Sequence, residues 1–283
     1  MSSAALKAGS VAVITGGASG IGLAAARRFL DSGLKVCIAD RDVDRLMAAR
    51  AQFAERDCIV APCDVGNPEE LRKLEQTVRE HFGHIDVLMN NAGIQPGSQI
   101  FGAQANWDDV IAVNLMGVIN GTRIFAPNII DQGTPGLIIN TGSKQGITTP
   151  PGDPAYNVAK AGVKVFTEAL QHELRSRDGC HVSAHLLIPG FVFTGLTARG
   201  RVEKPEGAWT PEQTVDFMLE RLGEGDFYIL CPDNEVARAT DEKRIAWAAQ
   251  DIIENRPPLS RWHPDYAERF AAFLKEDRGG RHG

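Results

Sequence analysis

The chain has 283 residues, of which 43% are hydrophobic and 23% are charged. This composition indicates a soluble globular protein with a large core and excludes a mainly disordered or fibrous chain. The formal net charge is -6, whereas proteins that bind a polyanion usually carry a basic surface. We therefore expect no nucleic acid partner. No uninterrupted apolar run approaches the roughly 20 residues that cross a bilayer, and residues 1–10 do not form a secretory signal. These features predict a cytoplasmic protein without a membrane partner.

From Val11 onward, short apolar runs alternate with longer segments of helical periodicity, which is the pattern of βαβ units. The short runs are almost wholly apolar, as expected for parallel strands that helices cover on both faces. The sequence therefore predicts an α/β fold with a doubly wound, mainly parallel sheet of seven strands. The predicted strands are residues 11–15, 35–39, 58–62, 86–90, 136–141, 181–188 and 227–231.

Helical periodicity is clearest at residues 21–32, 107–132 and 156–176, and we expect Pro127 to kink or end the second of these helices. Further helices are predicted at 211–222, 236–254 and 264–275. The apolar residues of this last part are too few for an independent core. We therefore expect a single domain, residues 1–283, with a C-terminal helical elaboration.

The five cysteines are scattered and form no CxxC pair, so the sequence predicts reduced thiols rather than a disulfide framework or a zinc site. His181 and His185 lie four apart in a predicted strand and so about 13 Å apart on one face. Because this separation is too large to chelate one ion, we expect no metal site.

A glycine-rich turn, Gly16-Gly17-Ala18-Ser19-Gly20-Ile21-Gly22, joins the first strand directly to the first helix. Glycine lets the backbone approach a pyrophosphate closely, and the helix N-terminus supplies free N–H groups and a partial positive charge. A tight strand-to-helix turn also needs glycine, so the spacing alone leaves a purely structural role open.

Asp40 ends the second strand, eighteen residues beyond Gly22, where a carboxylate can accept both hydroxyls of an adenosine ribose and would repel a 2'-phosphate. The alternative is that Asp40 caps the helix beginning near Asp42. The guanidinium of Arg41 beside it could instead favour NADP, so the residues favour NAD and leave NADP open.

Two further strand ends carry candidate cofactor contacts. Asp64 could accept a hydrogen bond from an adenine amino group or cap the helix near Asn67. The sequence Asn90-Asn91-Ala92-Gly93 follows the fourth strand, where small residues let the backbone pass close to a cofactor; a tight asparagine-stabilised loop is the alternative.

Tyr156 and Lys160 lie four apart on a predicted helix, so their side chains share one face. A neighbouring ammonium and a positively charged nicotinamide would both stabilise the phenolate and lower the pKa of the tyrosine, which could then shuttle a proton. Ser143 follows the fifth strand at the edge where ligands bind such sheets. Asn114 has modest propensity for the middle of a helix, which indicates a functional reason for its presence.

Together these motifs resemble the short-chain dehydrogenase/reductase family over residues 8–195: TGxxxGxG at 15–22, NNAG at 90–93, YxxxK at 156–160, and PGxxxT at 189–194. The resemblance implies a Rossmann fold and a homo-oligomer, either a dimer or a tetramer. Two departures are Gly142, where the family often has a second serine, and the region after Thr194. Residues 196–283 are expected to supply a substrate lid, the last strand and the C-terminal helices.

The family resemblance also implies roles for individual residues. In the implied tetrad of Asn114, Ser143, Tyr156 and Lys160, Tyr156 is the acid/base and Ser143 orients the substrate oxygen. Lys160 holds the nicotinamide ribose, and Asn114 positions a water molecule in a proton relay. The cofactor-binding residues are expected to be Gly16, Ser19, Gly20, Ile21, Gly22, Asp40, Arg41, Asp64, Val65, Asn91, Ala92, Gly93, Tyr156, Lys160, Pro189, Gly190, Val192 and Thr194.

The expected substrate lining is mixed but mainly apolar, and Lys144 within it either meets a polar substituent or is solvated. The sequence thus predicts an NAD(H)-dependent oxidoreductase that interconverts a secondary alcohol and a ketone of moderate bulk. The alternatives are an NADP(H)-dependent ketoreductase and a non-catalytic dinucleotide-sensing scaffold. Candidate substrate residues are Gln95, Ser143, Gln145, Tyr156, Phe191, Phe193, Leu196 and Trp209.

Overall fold

A computed structural model describes residues 2–198 and 200–276. Within them, seven strands form one sheet in the order β3-β2-β1-β4-β5-β6-β7, and every neighbouring pair is parallel. The predicted doubly wound sheet of seven strands is therefore confirmed. The strands are β1 (Val11–Thr15), β2 (Lys35–Asp40), β3 (Cys58–Pro62), β4 (Val87–Asn90), β5 (Gly136–Thr141), β6 (Val182–Ile188) and β7 (Tyr228–Leu230).

Helices connect the strands and cover both faces of the sheet. Those before β5 are α1 (Ser2–Ala5), α2 (Gly20–Asp31), α3 (Val43–Gln52), α4 (Pro68–Phe82), α5 (Gln104–Ile111), a π-helical turn (Ala112–Met116) and α6 (Gly117–Asp131). Those after β5 are α7 (Gln145–Thr148), α8 (Pro154–Arg175), α9 (Gly195–Ala198), α10 (Pro211–Glu224), α11 (Arg238–Ile253) and α12 (Ala267–Lys275), with short 3-10 turns at Ser260–Trp262 and Pro264–Tyr266.

The core has one apolar layer on each face of the sheet, because successive side chains of a strand point to opposite faces. In β1, Ile14 packs in the layer that contains Phe29 of α2, whereas Val13 packs in the layer that contains Phe125 of α6. All five residues of β1 are buried. This two-sided burial explains why the strands read as apolar runs rather than as an alternating pattern.

The predicted helix at 107–132 differs from the observed helices in two ways. Pro127 lies inside α6 and does not end it, because the proline is on the exposed side of the helix, where water can satisfy the backbone carbonyl that the missing N–H leaves free. The π-helical turn adds a residue around Asn114, which a 3.6-residue periodicity does not register.

The continuous helical segment Gln104–Asp131 is long and apolar enough to cross a membrane by composition, but half of its apolar window is buried inside the protein. It packs against β4, β5 and α8. This is the behaviour of a core helix in a globular α/β protein.

The chain after residue 195 joins the same sheet and adds helices at its end. Arg28 of α2 forms a bidentate ion pair with Asp216 of α10. Its Nε lies 2.6 Å from Oδ1 and its Nη2 lies 2.9 Å from Oδ2. The ammonium of Lys243 on α11 donates to the carbonyls of Leu274 and Glu276 at the end of α12. Trp247 of α11 is buried by aromatic contacts from α12.

A chain of buried polar side chains crosses the centre of the sheet. The Asn90 amide donates to Thr122 Oγ1 (3.1 Å) and to Asn140 Oδ1 (2.9 Å), and the Asn140 amide donates to Thr167 Oγ1 (3.0 Å). Each of these side chains is 2% exposed or less. These hydrogen bonds join α6, β4, β5 and α8, and they fix the helix that carries Tyr156 relative to the sheet.

We expect Asn140→Leu to lower the free energy of unfolding by about 1–3 kcal/mol, because buried partners lose a hydrogen bond that water cannot replace. Urea unfolding followed by circular dichroism measures this change. Thr77→Val is the control, since the exposed Thr77 hydroxyl bonds only to the carbonyl of Lys73 in its own helix. Equal midpoints for Asn140→Leu and the wild type would contradict the importance of this polar chain.

Candidate active site

A cavity of about 600 Å³ opens at the carboxyl ends of the strands, with the loops after β1, β4, β5 and β6 around it. The sheet order changes direction between β1 and β4. Ligands of open α/β sheets bind at such a switch point, because the loops there diverge and leave a crevice. A larger, open groove of about 840 Å³ between α4 and α6 has a charged lining and contains none of the motif residues.

The glycine-rich turn lines the cavity at positions that only glycine can occupy. Gly16 has φ +61°, and a Cβ there would lie 2.6 Å from the Cα of Ala92. Gly20 has φ +53°, with Thr194 3.1 Å from a Cβ position. Gly22 is not among the residues that line the cavity; a Cβ there would lie 2.3 Å from the Gly16 carbonyl. Gly22 therefore packs α2 against the turn instead of facing a ligand.

The N-terminus of α2 points its free donors at the cavity. Ser19 is the N-cap residue, its backbone is extended, and its side chain makes no capping hydrogen bond. Ser19, Gly20 and Ile21 all line the cavity. The first N–H groups of a helix lack intrahelical partners and attract anions, so this end of the cavity suits a phosphate group.

Asp40 lies at the end of β2, on the rim of the same cavity. Its carboxylate accepts hydrogen bonds from the Ala18 N–H (3.2 Å) and the Asp42 N–H (3.1 Å). Asp42, not Asp40, caps α3 by accepting from the Arg45 N–H. The capping alternative for Asp40 is therefore wrong, and its carboxylate is held between the second strand and the glycine-rich turn. Arg41 is exposed beside it.

The loops after β3 and β4 complete this half of the cavity. Asp64 and Val65 line it, and Asn67, not Asp64, caps α4. Asn91 lines it too, but its amide donates to the carbonyls of Thr15 (3.2 Å) and Gly16 (3.1 Å). Asn91 therefore holds the glycine-rich turn in place. Ala92 and Gly93 follow it on the cavity wall.

Ser143, Tyr156 and Lys160 converge at the other end of the cavity. Tyr156 is 7% exposed and Lys160 is 4% exposed. The Lys160 ammonium donates to the carbonyl of Thr141 at 2.7 Å and lies 5.7 Å from the centre of the Tyr156 ring. Ser143 Oγ accepts from the Gln145 N–H at 3.1 Å. The arrangement groups a phenol, a hydroxyl and an ammonium around one point of the cavity.

Burial dominates the titration of both α8 residues. It raises the pKa of Tyr156 to about 12; a hydrogen bond with Ser143 opposes this rise, and the carboxylate of Asp153 adds to it. Burial lowers the pKa of Lys160 to about 8. The sequence predicted a lowered pKa for this tyrosine because that prediction included the positive charges of Lys160 and of a bound nicotinamide ring. In the protein alone, the loss of hydration outweighs the Ser143 hydrogen bond.

Asn114 is fully buried in the π-helical turn and is not among the residues that line the cavity. Its side-chain oxygen accepts from the Ile94 N–H and its amide donates to the Ile94 carbonyl, both at 2.8 Å. Because the side-chain oxygen and nitrogen both bond to the Ile94 backbone, Asn114 positions the loop after β4. The water-positioning role that the resemblance implied for Asn114 stays a prediction.

The loop after β6 forms the floor between the two ends of the cavity. Pro189, Gly190, Val192 and Thr194 all line it. The Thr197 hydroxyl donates to the Val192 carbonyl and accepts from the Thr194 N–H. The side chain of Thr197 thus closes this loop into a compact turn at the start of α9.

The substrate residues predicted from the sequence fall into two groups. Phe193 and Trp209 do not occur among the described residues that line the cavity. Trp209 instead packs edge-on against Phe217 of α10 and joins the core layer of α2. Their inclusion in the substrate lining is therefore not supported. The predicted residues that do line the cavity are Gln95, Ser143, Gln145, Tyr156, Phe191 and Leu196.

Residues 10–204 match the sequence profile of the family described as short chain dehydrogenase. The chain belongs to the short-chain dehydrogenase/reductase family. It is 34% identical over 227 residues to an uncharacterized oxidoreductase of Staphylococcus aureus (strain N315), which covers 80% of this chain and 93% of that protein.

Two solved structures extend the comparison. One is a short chain dehydrogenase/reductase from Burkholderia phymatum in complex with NAD, with a TM-score of 0.81, 30% identity, and coverage of 90% of this chain and 97% of that one. The other is an alcohol dehydrogenase from the archaeon Thermococcus sibiricus complexed with 5-hydroxy-NADP, with a TM-score of 0.68, 27% identity, and coverage of 76% and 90%. The chain is thus an oxidoreductase of this family, with a nicotinamide dinucleotide as cofactor.

This short-chain dehydrogenase/reductase also has cavity residues that no sequence motif indicated. Thr141 ends β5 and Cys63 directly follows β3, so their place at the carboxyl edge of a parallel sheet could have identified them. Lys144 is neither solvated nor free to meet a substituent, because it is paired with two buried carboxylates. Lys144 was expected in the substrate lining and does line the cavity. The described cavity residues that were not predicted are Asp42, Arg45, Cys63, Ile94, Val113, Thr141, Gly142, Gly195 and Thr197.

The buried ammonium of Lys160 predicts a pH-dependent stability. The pKa of Lys160 falls from 10.5 to about 8 on folding, so the unfolded chain binds more of this proton and stability rises with pH in that interval. Lys160→Met removes this contribution. We expect the unfolding free energy of the wild type, minus that of Lys160→Met, to increase by about 1–2 kcal/mol from about pH 7.5 to about pH 9.5.

Urea unfolding at several pH values measures this difference. Lys164→Met is the matched control, since Lys164 lies one turn further along α8 and pairs with Glu168 on the outer face. The same pH slope for both variants would show that the buried ammonium is not its source.

Proposed function

We propose that the protein catalyses reversible hydride transfer between NAD(H) and a secondary alcohol or ketone of moderate bulk. The observation that carries this proposal is the convergence of Ser143, Tyr156 and Lys160 at one end of the cavity, with the glycine-rich turn and Asp40 at the other. One cavity therefore has both a site for an anionic dinucleotide and a site for proton transfer.

The residues present fit a dinucleotide. Gly16 and Gly20 leave the space that side chains would fill, and the uncapped first turn of α2 offers N–H donors to a pyrophosphate. Asp40 would accept the ribose hydroxyls, while Val192 and Thr194 would meet the nicotinamide carboxamide. When bound, NAD(H) supplies the hydride acceptor or donor.

Tyr156 is the proposed acid/base. In alcohol oxidation its phenolate oxygen takes the hydroxyl proton, and in ketone reduction its phenol donates that proton to the carbonyl oxygen. Ser143 Oγ accepts from the Gln145 N–H, and its hydroxyl hydrogen, which bonds with Tyr156 in the protein alone, would turn to the substrate oxygen when the substrate binds. Lys160 carries a positive charge at neutral pH, since its pKa is about 8, and this charge stabilises the phenolate.

Asp40 supports NAD as the preferred cofactor. Two backbone N–H groups hold its carboxylate on the cavity rim, where it would repel a 2'-phosphate. Arg45 is already paired with Asp42 at 3.0 Å, which reduces its availability to an anion. The exposed Arg41 is the feature that supports the second candidate, an NADP(H)-dependent ketoreductase.

The proposed substrate follows from the mixed lining near Tyr156. Ile94, Phe191 and Leu196 offer apolar surface, and the amides of Gln95 and Gln145 offer hydrogen bonds. This lining suits an alcohol or ketone with an apolar body and one polar substituent.

We also propose a cytoplasmic location and a homodimer or homotetramer, as the family resemblance implies. The buried reduced thiols of Cys37, Cys58, Cys63 and Cys231 support a reducing compartment. Light scattering of the purified protein measures the oligomeric state.

We expect Tyr156→Phe to lower kcat by about 100- to 10,000-fold, because it removes the proton-transfer group. NADH binding, measured by fluorescence titration, should remain within about threefold, a difference of less than about 1 kcal/mol. Tyr228→Phe is the matched control, since the Tyr228 hydroxyl bonds to Glu168 away from the cavity. Undiminished turnover in Tyr156→Phe would refute the acid/base role. A wild type that binds NADH but turns over no alcohol or ketone would favour the non-catalytic scaffold.

Asp40→Asn should shift the cofactor preference toward NADP. The substitution keeps an oxygen that accepts from the Asp42 N–H but removes the charge that repels a 2'-phosphate. We expect the ratio of kcat/KM for NAD to that for NADP to fall at least about tenfold, equivalent to about 1.4 kcal/mol. The control is Asp44→Asn, an exposed carboxylate in α3 outside the cavity lining. A wild type that already prefers NADP would overturn the assignment.

A further inference from the structure

A buried ion cluster adjoins the loop after β5, residues 142–144, which we call the catalytic loop. The ammonium of Lys144, the residue after Ser143, is 3.1 Å from Asp233 Oδ2 and 2.6 Å from Asp241 Oδ2. The Lys144 side chain is 17% exposed and each carboxylate side chain is 6% exposed. Both carboxylates come from the C-terminal part of the chain, whereas Lys144 belongs to the loop after β5.

Asp233 joins three segments through its two oxygens. One oxygen accepts from the N–H groups of Val236 (2.7 Å) and Glu235 (3.1 Å), which fixes the turn that leads into α11. The other lies against Lys144 and also accepts from the Phe191 N–H at 3.3 Å. One carboxylate therefore connects the C-terminal turn to the loops after β5 and β6.

The packing at this junction leaves no free space. A Cβ on Gly190 would lie 2.6 Å from Asp233 Oδ2 and 2.8 Å from the Lys144 ammonium. Gly190 is part of the cavity floor. The ion pair is thus in direct contact with the backbone of the loop after β6.

Asp241 adds the first turns of α11 to the cluster. It is 4% exposed, and its second oxygen lies 3.6 Å from an Arg244 guanidinium nitrogen. Both carboxylates therefore face cations: Lys144 pairs with Asp233 and Asp241, and Arg244 lies against Asp241. Charges at this depth need such matching, because removal of one partner leaves an uncompensated buried charge.

The Lys144 backbone transmits this anchoring to Ser143. Its carbonyl accepts from the N–H groups of Ile147 and Thr148, which forms the turn at α7. The same turn directs the Gln145 N–H at Ser143 Oγ, with a separation of 3.1 Å. The position of the Lys144 side chain is therefore coupled to the direction of the Ser143 hydroxyl.

We propose that Lys144 is a positioning residue, and that its pairing with Asp233 and Asp241 makes the turn at 232–237 and α11 a structural part of the active site. The cluster holds Ser143 in the position in which it meets the substrate oxygen, and it holds the Phe191 backbone in the cavity wall. This inference rests on the proposed function, since it assigns Ser143 the binding of that oxygen.

The test compares Lys144→Met with the charge-matched double variant Lys144→Met/Asp241→Asn. Oxidation of cyclohexanol and 1-phenylethanol with NAD is followed by NADH absorbance, and stability by thermal unfolding. We expect Lys144→Met to lower kcat by about 10- to 100-fold, because small displacements of a positioned group cost that much. The KM for NAD should change by less than about threefold, which is below about 1 kcal/mol, because the glycine-rich turn and Asp40 lie at the other end of the cavity.

The double variant separates positioning from stability. It removes one charge of each sign from the cluster but leaves Asp233 without Lys144. We therefore expect its melting temperature to lie between those of Lys144→Met and the wild type, while kcat stays low. Lys35→Met is the control, because Lys35 begins β2 and packs over the Phe82 ring, away from the carboxyl ends of the strands, and its kcat should equal that of the wild type.

Each remaining outcome bears on one hypothesis. Recovery of kcat together with stability in the double variant would reduce the cluster to a purely structural role and overturn the inference. Unchanged kcat in Lys144→Met would do the same while leaving the proposed function intact. No turnover of either alcohol or of the matching ketones by the wild type would overturn both.

Discussion

The close approach of two strand-ending loops is the constraint on which the rest of the site depends. Gly16 and Ala92 are so near that a single added Cβ would collide with backbone, and the Asn91 amide ties the same two loops together. This contact lies where the strand order reverses, so it decides how wide the crevice opens. Because α2 begins directly after the turn, the direction of its free N–H groups is set by the same contact.

Burial controls the electrostatics of the reactive end, and it acts oppositely on its two titratable groups. The pKa of Tyr156 is raised and that of Lys160 is lowered, because each charged form loses hydration. At neutral pH the phenol is therefore protonated and the amine charged. A dry pocket of this kind costs stability, and the surrounding polar chain of Asn90, Asn140 and Thr167 holds α8 in place despite that cost.

The strands and the motif residues were predictable from the sequence because their signals are local. Apolar runs such as β1 reveal parallel strands, and the glycine-rich turn and the Tyr156–Lys160 spacing are each contained within a few residues. The contacts of Trp209 and Lys144 were not predictable, since their partners come from distant segments of the chain. Trp209 packs against Phe217, and Lys144 pairs with Asp233 and Asp241. The amide of Asn114 is likewise committed to the Ile94 backbone by a π-helical turn, which has no counterpart in helical periodicity. The division of the chain near residue 195 stays a prediction.

The two strands at the margins of the sheet have a consequence for how copies of the chain meet. β3 ends in Pro62, which lacks an N–H, and β7 is only three residues long. Both margins are poor templates for pairing with a strand of another molecule. During synthesis, when many unfinished chains coexist, this geometry disfavours intermolecular sheet growth and aggregation, and it leaves the helices as the surfaces through which folded copies can associate.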